Sequence, residues 1–271
     1  MSEQSKQMSF LAHLEELRWL LVRSAIAILV FAVGAFTFKD FIFNKIIFVF
    51  QDANFITYRV LCNLTQLFGS DGLCIEETTF SIQSLKMSEQ FSAHIWVSIA
   101  FGFILSFPYI VYEIWKFLKP ALYKNEQKHA KSFILFSSFL FFLGISFGYY
   151  VLAPLTINFF GNYSVSDAVD RNFKLGSYIS IVKTSVLSAG FLFELPIVIY
   201  FLTKLGIVTP EFLKNNRKYS LVIILILAAI LTPADILSQF VVAIPMLFLY
   251  EFGIIISKRI VKKQKAELSK L

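Results

Sequence analysis

Apolar residues in this chain come in long, nearly unbroken runs, with neither the alternation of a strand nor the single stripe of a surface helix. The runs cover Trp19 to Phe38, Phe91 to Ile114, Ser132 to Ala153, Ser177 to Leu202, Tyr219 to Leu231 and Leu237 to Ile256. A bilayer's hydrocarbon core is about 30 Å thick and a helix rises about 1.5 Å per residue, so about 20 apolar residues cross it. The pattern predicts an all-α polytopic membrane protein with six transmembrane helices, the fifth and sixth of them short. The fifth run needs tilt or local thinning to cross, which leaves a hairpin re-entering from one side as the alternative for the last pair. Either arrangement puts both termini on one side. Composition agrees: 57% of the 271 residues are hydrophobic, 32 are Phe and only 16% are charged.

Charge then gives orientation. Of the 25 Lys and Arg, 17 fall in the two tails and in the connections after the second and fourth runs, and Arg23 lies just inside the start of the first run. Basic residues resist translocation, so those segments are expected in the cytoplasm, as are both termini, in a bacterial inner membrane. The net charge of +7 reads as topology plus attraction to anionic membrane lipids; the basic residues flank apolar runs without forming one face, so nucleic acid is not an expected partner. On this reading the chain is a single integral membrane domain, 1–271. It has a cytoplasmic amphipathic start (1–18), a long outer loop (39–90) and a basic cytoplasmic tail (257–271). No cleavable signal peptide is expected, because the polar first 18 residues precede a run long enough to stay in the membrane.

Both cysteines, Cys62 and Cys74, lie in the outer segment, where an oxidising exterior would allow a loop-bracing disulfide; two unpaired thiols are the alternative. Asn63-Leu64-Thr65 and Asn162-Tyr163-Ser164 are outward sequons, a tripeptide that also arises by chance.

Polar residues inside the runs carry the candidate chemistry. Glu194 lies deep in the fourth run, two residues before Pro196. An acid at a helix centre costs about 2.5–3.5 kcal/mol on insertion scales, so such a group is protonated, paired or facing a wet cavity. Two readings stand for it: one wall of a polar cavity, or a neutral carboxyl bonded to a backbone carbonyl freed by Pro196. Lys183, nearer the outer end, is read as snorkelling to the interface. Gln239 and Glu251 lie near opposite ends of the sixth run, Pro108 and Pro245 are expected to bend the second and sixth, and Asp235 is read as a cap for the last helix.

Two cytoplasmic segments complete the inventory. Phe10 to Leu21, FLAHLEELRWLL, has Leu14, Leu17 and Leu21 on one stripe, Glu15, Glu16 and Arg18 off it, and Ser9 as a plausible cap. His13, Glu16 and Trp19 share a face. Phe117 to Glu126, FLKPALYKNE, offers aromatics, a proline and one carboxylate in a basic connection, which suits docking of a cationic ligand better than catalysis.

These residues resemble a known family. HLEELRWLL is similar to the HLxELRxRL signature of the TatC family, the receptor of twin-arginine protein translocation, and FLKPALYKNE resembles that family's first cytoplasmic loop, with Phe117, Pro120, Leu122, Tyr123 and Glu126 in register. FELP around Glu194, TPADILSQ from Thr232 to Gln239, and AIPM at Ala243 followed by Glu251 extend the resemblance through all six runs. It implies a curved, cupped helix bundle. It also implies that Glu16 and Glu126, with Arg18, Phe117, Pro120, Leu122 and Tyr123 around them, bind the twin-arginine signal peptides of folded cargo proteins. Glu194 and Gln239 would be membrane-embedded polar groups. The implied partners are TatA and TatB-like single-span subunits, and the chain is expected to be a homo-oligomer within the receptor complex, driven by the proton-motive force.

No phosphate-binding loop, HExxH, nucleophile elbow or CxxC occurs, so neither an enzyme nor a cofactor or metal site is expected. The competing reading is a proton-coupled small-solute transporter using Glu194 and Lys183. Such carriers commonly have internal repeats with matching broken helices, and none is found.

Overall fold

A computed structural model describes residues 10–67, 80–119, 130–166, 172–231 and 236–268. The main helices among them are α1 (Phe10–Thr37), α2 (Ile56–Leu67), α3 (Glu89–Leu118), α4 (Ala130–Phe147), α5 (Ala153–Asn162), α6 (Leu175–Phe193), α7 (Leu195–Lys204), α8 (Pro210–Asn215), α9 (Arg217–Leu231) and α10 (Ile236–Leu268). Two three-residue strands, β1 (Ser81–Gln83) and β2 (Asn172–Lys174), pair in parallel with Ile82 opposite Phe173. The protein is therefore an all-α polytopic membrane protein. Among the described residues, five helical stretches are long and apolar enough to cross a bilayer: His13–Thr37, Glu89–Leu118, Lys131–Asn162, Leu175–Lys204 and Gln239–Lys263. Helix α9, the fifth run, has 15 residues and reaches only about 22 Å.

Several elements differ from the expectation in ways that local chemistry explains. The third run continues past Ala153, through a wide turn at Gly148–Leu152, into α5. The fourth is not one helix: Pro196 has no N–H to offer and its ring crowds the carbonyl four residues back, so α6 ends at Phe193 and α7 restarts at Leu195 with the proline in its first turn. The last helix is not short. Nothing after Gly253 breaks it, and the basic stretch beyond Ile256 is built of good helix formers, so α10 runs 33 residues. Helices α3 and α10 continue through Pro108 and Pro245. Ser9, Cys74 and Asp235 lie outside the described residues.

The chain forms two compact units, residues 1–39 with 94–139, and residues 40–93 with 140–271. In the first, α1 and α3 lie against each other. A methyl group at Gly102 would come within 2.5 Å of the Ile28 carbonyl oxygen and 2.8 Å of Ala32, so only glycine permits this approach. At one end His94 stacks on Phe36, 3.8 Å between centroids, and its Nε2 lies 3.1 Å from the Phe36 carbonyl oxygen. Nearer the other end Arg23 donates from Nη1 to Glu113 Oε2 at 3.3 Å, and Tyr109 donates its hydroxyl to the other carboxylate oxygen at 3.1 Å. Glu113 is 5% exposed.

The second unit has an outer part and a core. The described stretch after Lys39, residues 40–67, is built rather than loose. Phe50, Phe55, Tyr149 and Tyr150 form an aromatic cluster. Tyr58, whose hydroxyl burial pushes well above its ordinary pKa, lies within 3.2 Å of the carbonyls of Phe50 and Pro154, and Tyr178 donates to Ile47 at 2.7 Å. Cys62 is disulfide-bonded, and the chain has one other cysteine. In the core, Gly144 and Gly148, one turn apart on a GxxxG spacing, pack on α6: a methyl at Gly144 would meet the Ala189 carbonyl oxygen at 2.6 Å, and one at Gly148 the Val186 Cα at 2.7 Å. Ile199, Leu213, Ile224, Ala228, Val242, Met246 and Ile254 join α7 to α10. Gly206, at φ +72°, closes α7: its N–H and that of Ile207 return to the carbonyls of Thr203 and Leu202, and Thr209 then caps α8 at Phe212 N. Tyr250 fastens α8 to α10 by donating to the Leu213 carbonyl at 2.8 Å.

Two outcomes follow for purified protein in detergent. Gly148→Leu has no room against the α6 backbone, so unfolding should show a loss of about 1–3 kcal/mol or a rearranged helix pair, whereas Gly34→Ala, with nothing within 4 Å, should be close to neutral. Arg23→Ala leaves the buried Glu113 carboxylate without its cation and should cost about 1–3 kcal/mol. Adding Glu113→Leu should recover most of that loss, since an apolar side chain needs no partner.

Candidate functional site

Four pairings fix the direction of α1 against α3: Phe36 with His94, Ala32 with Gly102, Arg23 with Glu113, and His13 with Phe117. Residue numbers fall along α1 as they rise along α3, so the two helices are antiparallel. That geometry brings the first turns of α1, which carry HLEELR, beside the last turn of α3, which leads into FLKPALYKNE. The two motifs meet in one ring contact: the His13 imidazole stacks on the Phe117 ring at 4.2 Å between centroids with 22° between planes.

Around this contact, Glu16 and Arg18 are exposed on α1 and Phe117 is half-buried. A carboxylate in that position can accept charge-assisted bonds from an incoming cation, and the bidentate geometry of a guanidinium fits it best. Trp115, two residues before Phe117, stacks on Phe133 at 4.7 Å and steadies the end of α3. Pro120, Leu122, Tyr123 and Glu126 lie outside the described residues.

The membrane-embedded candidates lie in the second unit. Glu194 is the hinge residue between α6 and α7, 9% exposed, with its carbonyl accepting from Ile197 and Val198 at 2.9 and 3.0 Å. Gln239 donates its amide to the Leu225 carbonyl at 3.1 Å, joining α10 to α9. Lys183 is half-buried in α6. Glu251, expected only as an end-of-helix polar group, is paired with Arg217 at 2.7 Å.

Sequence reasoning missed Glu113 and its pairing with Arg23. A signal was present: an acid at the inner end of an apolar run is costly alone, so it demanded a basic partner on another run. Choosing Arg23, 90 positions away, required the antiparallel register that only the fold supplies.

Comparison with known proteins bears on the whole chain. The family model for TatC, the Sec-independent protein translocase protein, matches residues 12–245. The Sec-independent protein translocase protein TatC of Blattabacterium sp. subsp. Periplaneta americana is 40% identical over 97% of this chain and 100% of its own length. TatCy of Bacillus subtilis is 32% identical over 95% and 91%, and TatC of Aquifex aeolicus 34% identical over 93% and 96%. A crystal structure of the twin-arginine translocase receptor TatC in DDM aligns with a TM-score of 0.69, at 33% identity, over 90% of this chain and 99% of that one. The family is a protein translocase component and not a family of catalytic enzymes. From the antiparallel motif helices through the broken fourth span, the chain belongs to the TatC family of Sec-independent protein translocase proteins.

Proposed function

We propose that this chain is the signal-peptide receptor of a twin-arginine translocation system, with the paired arginines of a folded cargo's signal peptide gripped by Glu16 and Glu126 at one cytoplasmic rim. The observation that carries the reading is the stacking of His13 on Phe117, which joins the helix bearing Glu16 to the helix end that leads to Glu126. Arg18, Phe117, Pro120, Leu122 and Tyr123 form the rest of the surface, with the apolar members taking the residue that follows the arginines. Glu194 and Gln239 are the polar groups along which the inserted peptide passes the bilayer interior, where any group able to hydrogen-bond gains from a partner.

Both termini lie in the cytoplasm, as the distribution of Lys and Arg supports, and the membrane is the inner membrane. The chain acts as one integral domain with an outer cap at 39–90 and a basic cytoplasmic tail at 257–271. Copies of this chain and TatA and TatB-like single-span subunits complete the pathway. The transmembrane gradient drives the process, with about 2.3 kcal/mol available per charge for 100 mV.

Binding of a twin-arginine peptide to the reconstituted chain tests the site. Glu16→Ala and Glu126→Ala should each weaken it about tenfold or more, the worth of a charge-assisted bond. Full affinity in the double variant would remove the assignment. For the energy source, vesicles carrying the complete system should stop transport when the gradient is collapsed; undiminished transport on ATP alone would refute it.

A further inference from the structure

Three cations converge where α8, α9 and α10 meet. Lys214 lies in the last turn of α8, Arg217 opens α9, and Lys258 lies on α10; all are exposed. Their placement is set from below, by the buried Leu213 and by the Tyr250 hydroxyl bond to the Leu213 carbonyl, so the side chains do not choose their own spacing. The like charges of Lys214 and Arg217 lie near enough to that of Lys258 to act on it. An ammonium has donors and no acceptor, so the approach of Lys214 and Lys258 is repulsive unless an anion lies between or beside the two.

Arg217 adds a third positive charge. Its Nη2 bonds Glu251 Oε2 at 2.7 Å, and Glu251 lies two turns before Lys258 on the same face of α10. Three cations against one carboxylate leave a local charge of +2, and a guanidinium with five donors keeps several for another acceptor. The same stretch of chain also exposes apolar and aromatic side chains. Ile207, Phe212 and Tyr219 are 67%, 57% and 59% exposed, and Lys218 Nζ sits 5.2 Å from the Tyr219 ring centroid. Aromatic side chains of this kind settle at headgroup depth.

We propose that Lys214, Arg217 and Lys258 form a seat for a phosphate group, filled in the membrane by the headgroup phosphate of an anionic phospholipid. A phosphodiester supplies acceptor oxygens that both ammonium groups and the free donors of Arg217 share, which turns the Lys214–Lys258 contact from repulsive to bridged. A free phosphate ion offers the same oxygens, and the exposed Phe212 and Tyr219, two residues from Lys214 and Arg217 in the chain, favour the lipid as the source.

The test uses the full chain in nanodiscs of phosphatidylcholine with a rising fraction of phosphatidylglycerol, reading the thermal unfolding midpoint. The midpoint of the unaltered chain should rise with phosphatidylglycerol. Lys258→Gln and Lys214→Gln should each need about fivefold more of that lipid for the same rise. In pure phosphatidylcholine both should be at least as stable as the unaltered chain, because the repulsion is gone. Lys263→Gln, an exposed charge off this face, should respond like the unaltered chain. Inorganic phosphate added to phosphatidylcholine discs separates the sources: a shift as large as that from phosphatidylglycerol assigns the seat to free phosphate, and no shift assigns it to the lipid. Equal responses of all four proteins to both anions would overturn the seat. So would a loss in Lys263→Gln as large as that in Lys258→Gln, since diffuse surface charge would then explain the effect.

Discussion

Within a bilayer the lipid tails are as apolar as leucine, so burying a side chain gains little and helices must hold each other by close approach and by shared polar groups. Gly102 against Ile28 and Ala32 in one unit, and Gly144 and Gly148 against α6 in the other, are where that approach happens. Hydrocarbon offers no substitute for a backbone hydrogen bond, which is why the spans are helices. Polar contacts such as Arg23–Glu113 and Thr203–Ser257 then fix the register of surfaces that glycine has allowed to touch.

The antiparallel pairing of α1 and α3 shows how this constraint positions the two motifs. Neither motif is a site alone: HLEELR is an amphipathic helix start, and FLKPALYKNE a polar connection 100 residues later. Close packing of two apolar helices around Gly102 is what brings their ends together, so residues deep in the membrane determine the geometry of a surface in water. The broken fourth span works in the opposite direction. Pro196 ends α6 and puts Glu194 at the joint, where its N–H closes the end of α6 on the Phe191 carbonyl and its own carbonyl starts α7 by accepting from Ile197 and Val198.

Much of this was legible in the residue order, because length and apolarity alone decide where a span must lie. The short fifth helix and the exposed polar face of the first could be read in the same way. What escaped depended on contacts between distant segments. The Arg23–Glu113 pair and the Lys214–Lys258 contact need helix register; the aromatic scaffold of Phe50, Phe55 and Tyr149 needs the outer segment folded over the end of α4. The break after Phe193 was half visible, since Pro196 announced a disturbance while its exact place follows from the steric reach of the ring. The full length of α10 was missed because hydropathy ends at Ile256 and helical propensity does not. In the candidate site, Glu16, Arg18 and Phe117 lie on the facing ends of α1 and α3, and the residues from Pro120 to Glu126 lie outside the described residues.

The parallel pairing of Ser81–Gln83 with Asn172–Lys174 has a bearing on how the chain is made. Ser81 and Asn172 are 91 positions apart and joined by a side-chain bond, with two complete spans between them. Ribosomal synthesis delivers the first strand long before the second, and the intervening polypeptide must cross the bilayer twice before they can meet. The little sheet is thus a late clasp, whose closure reports that both crossings have been inserted in the correct sense.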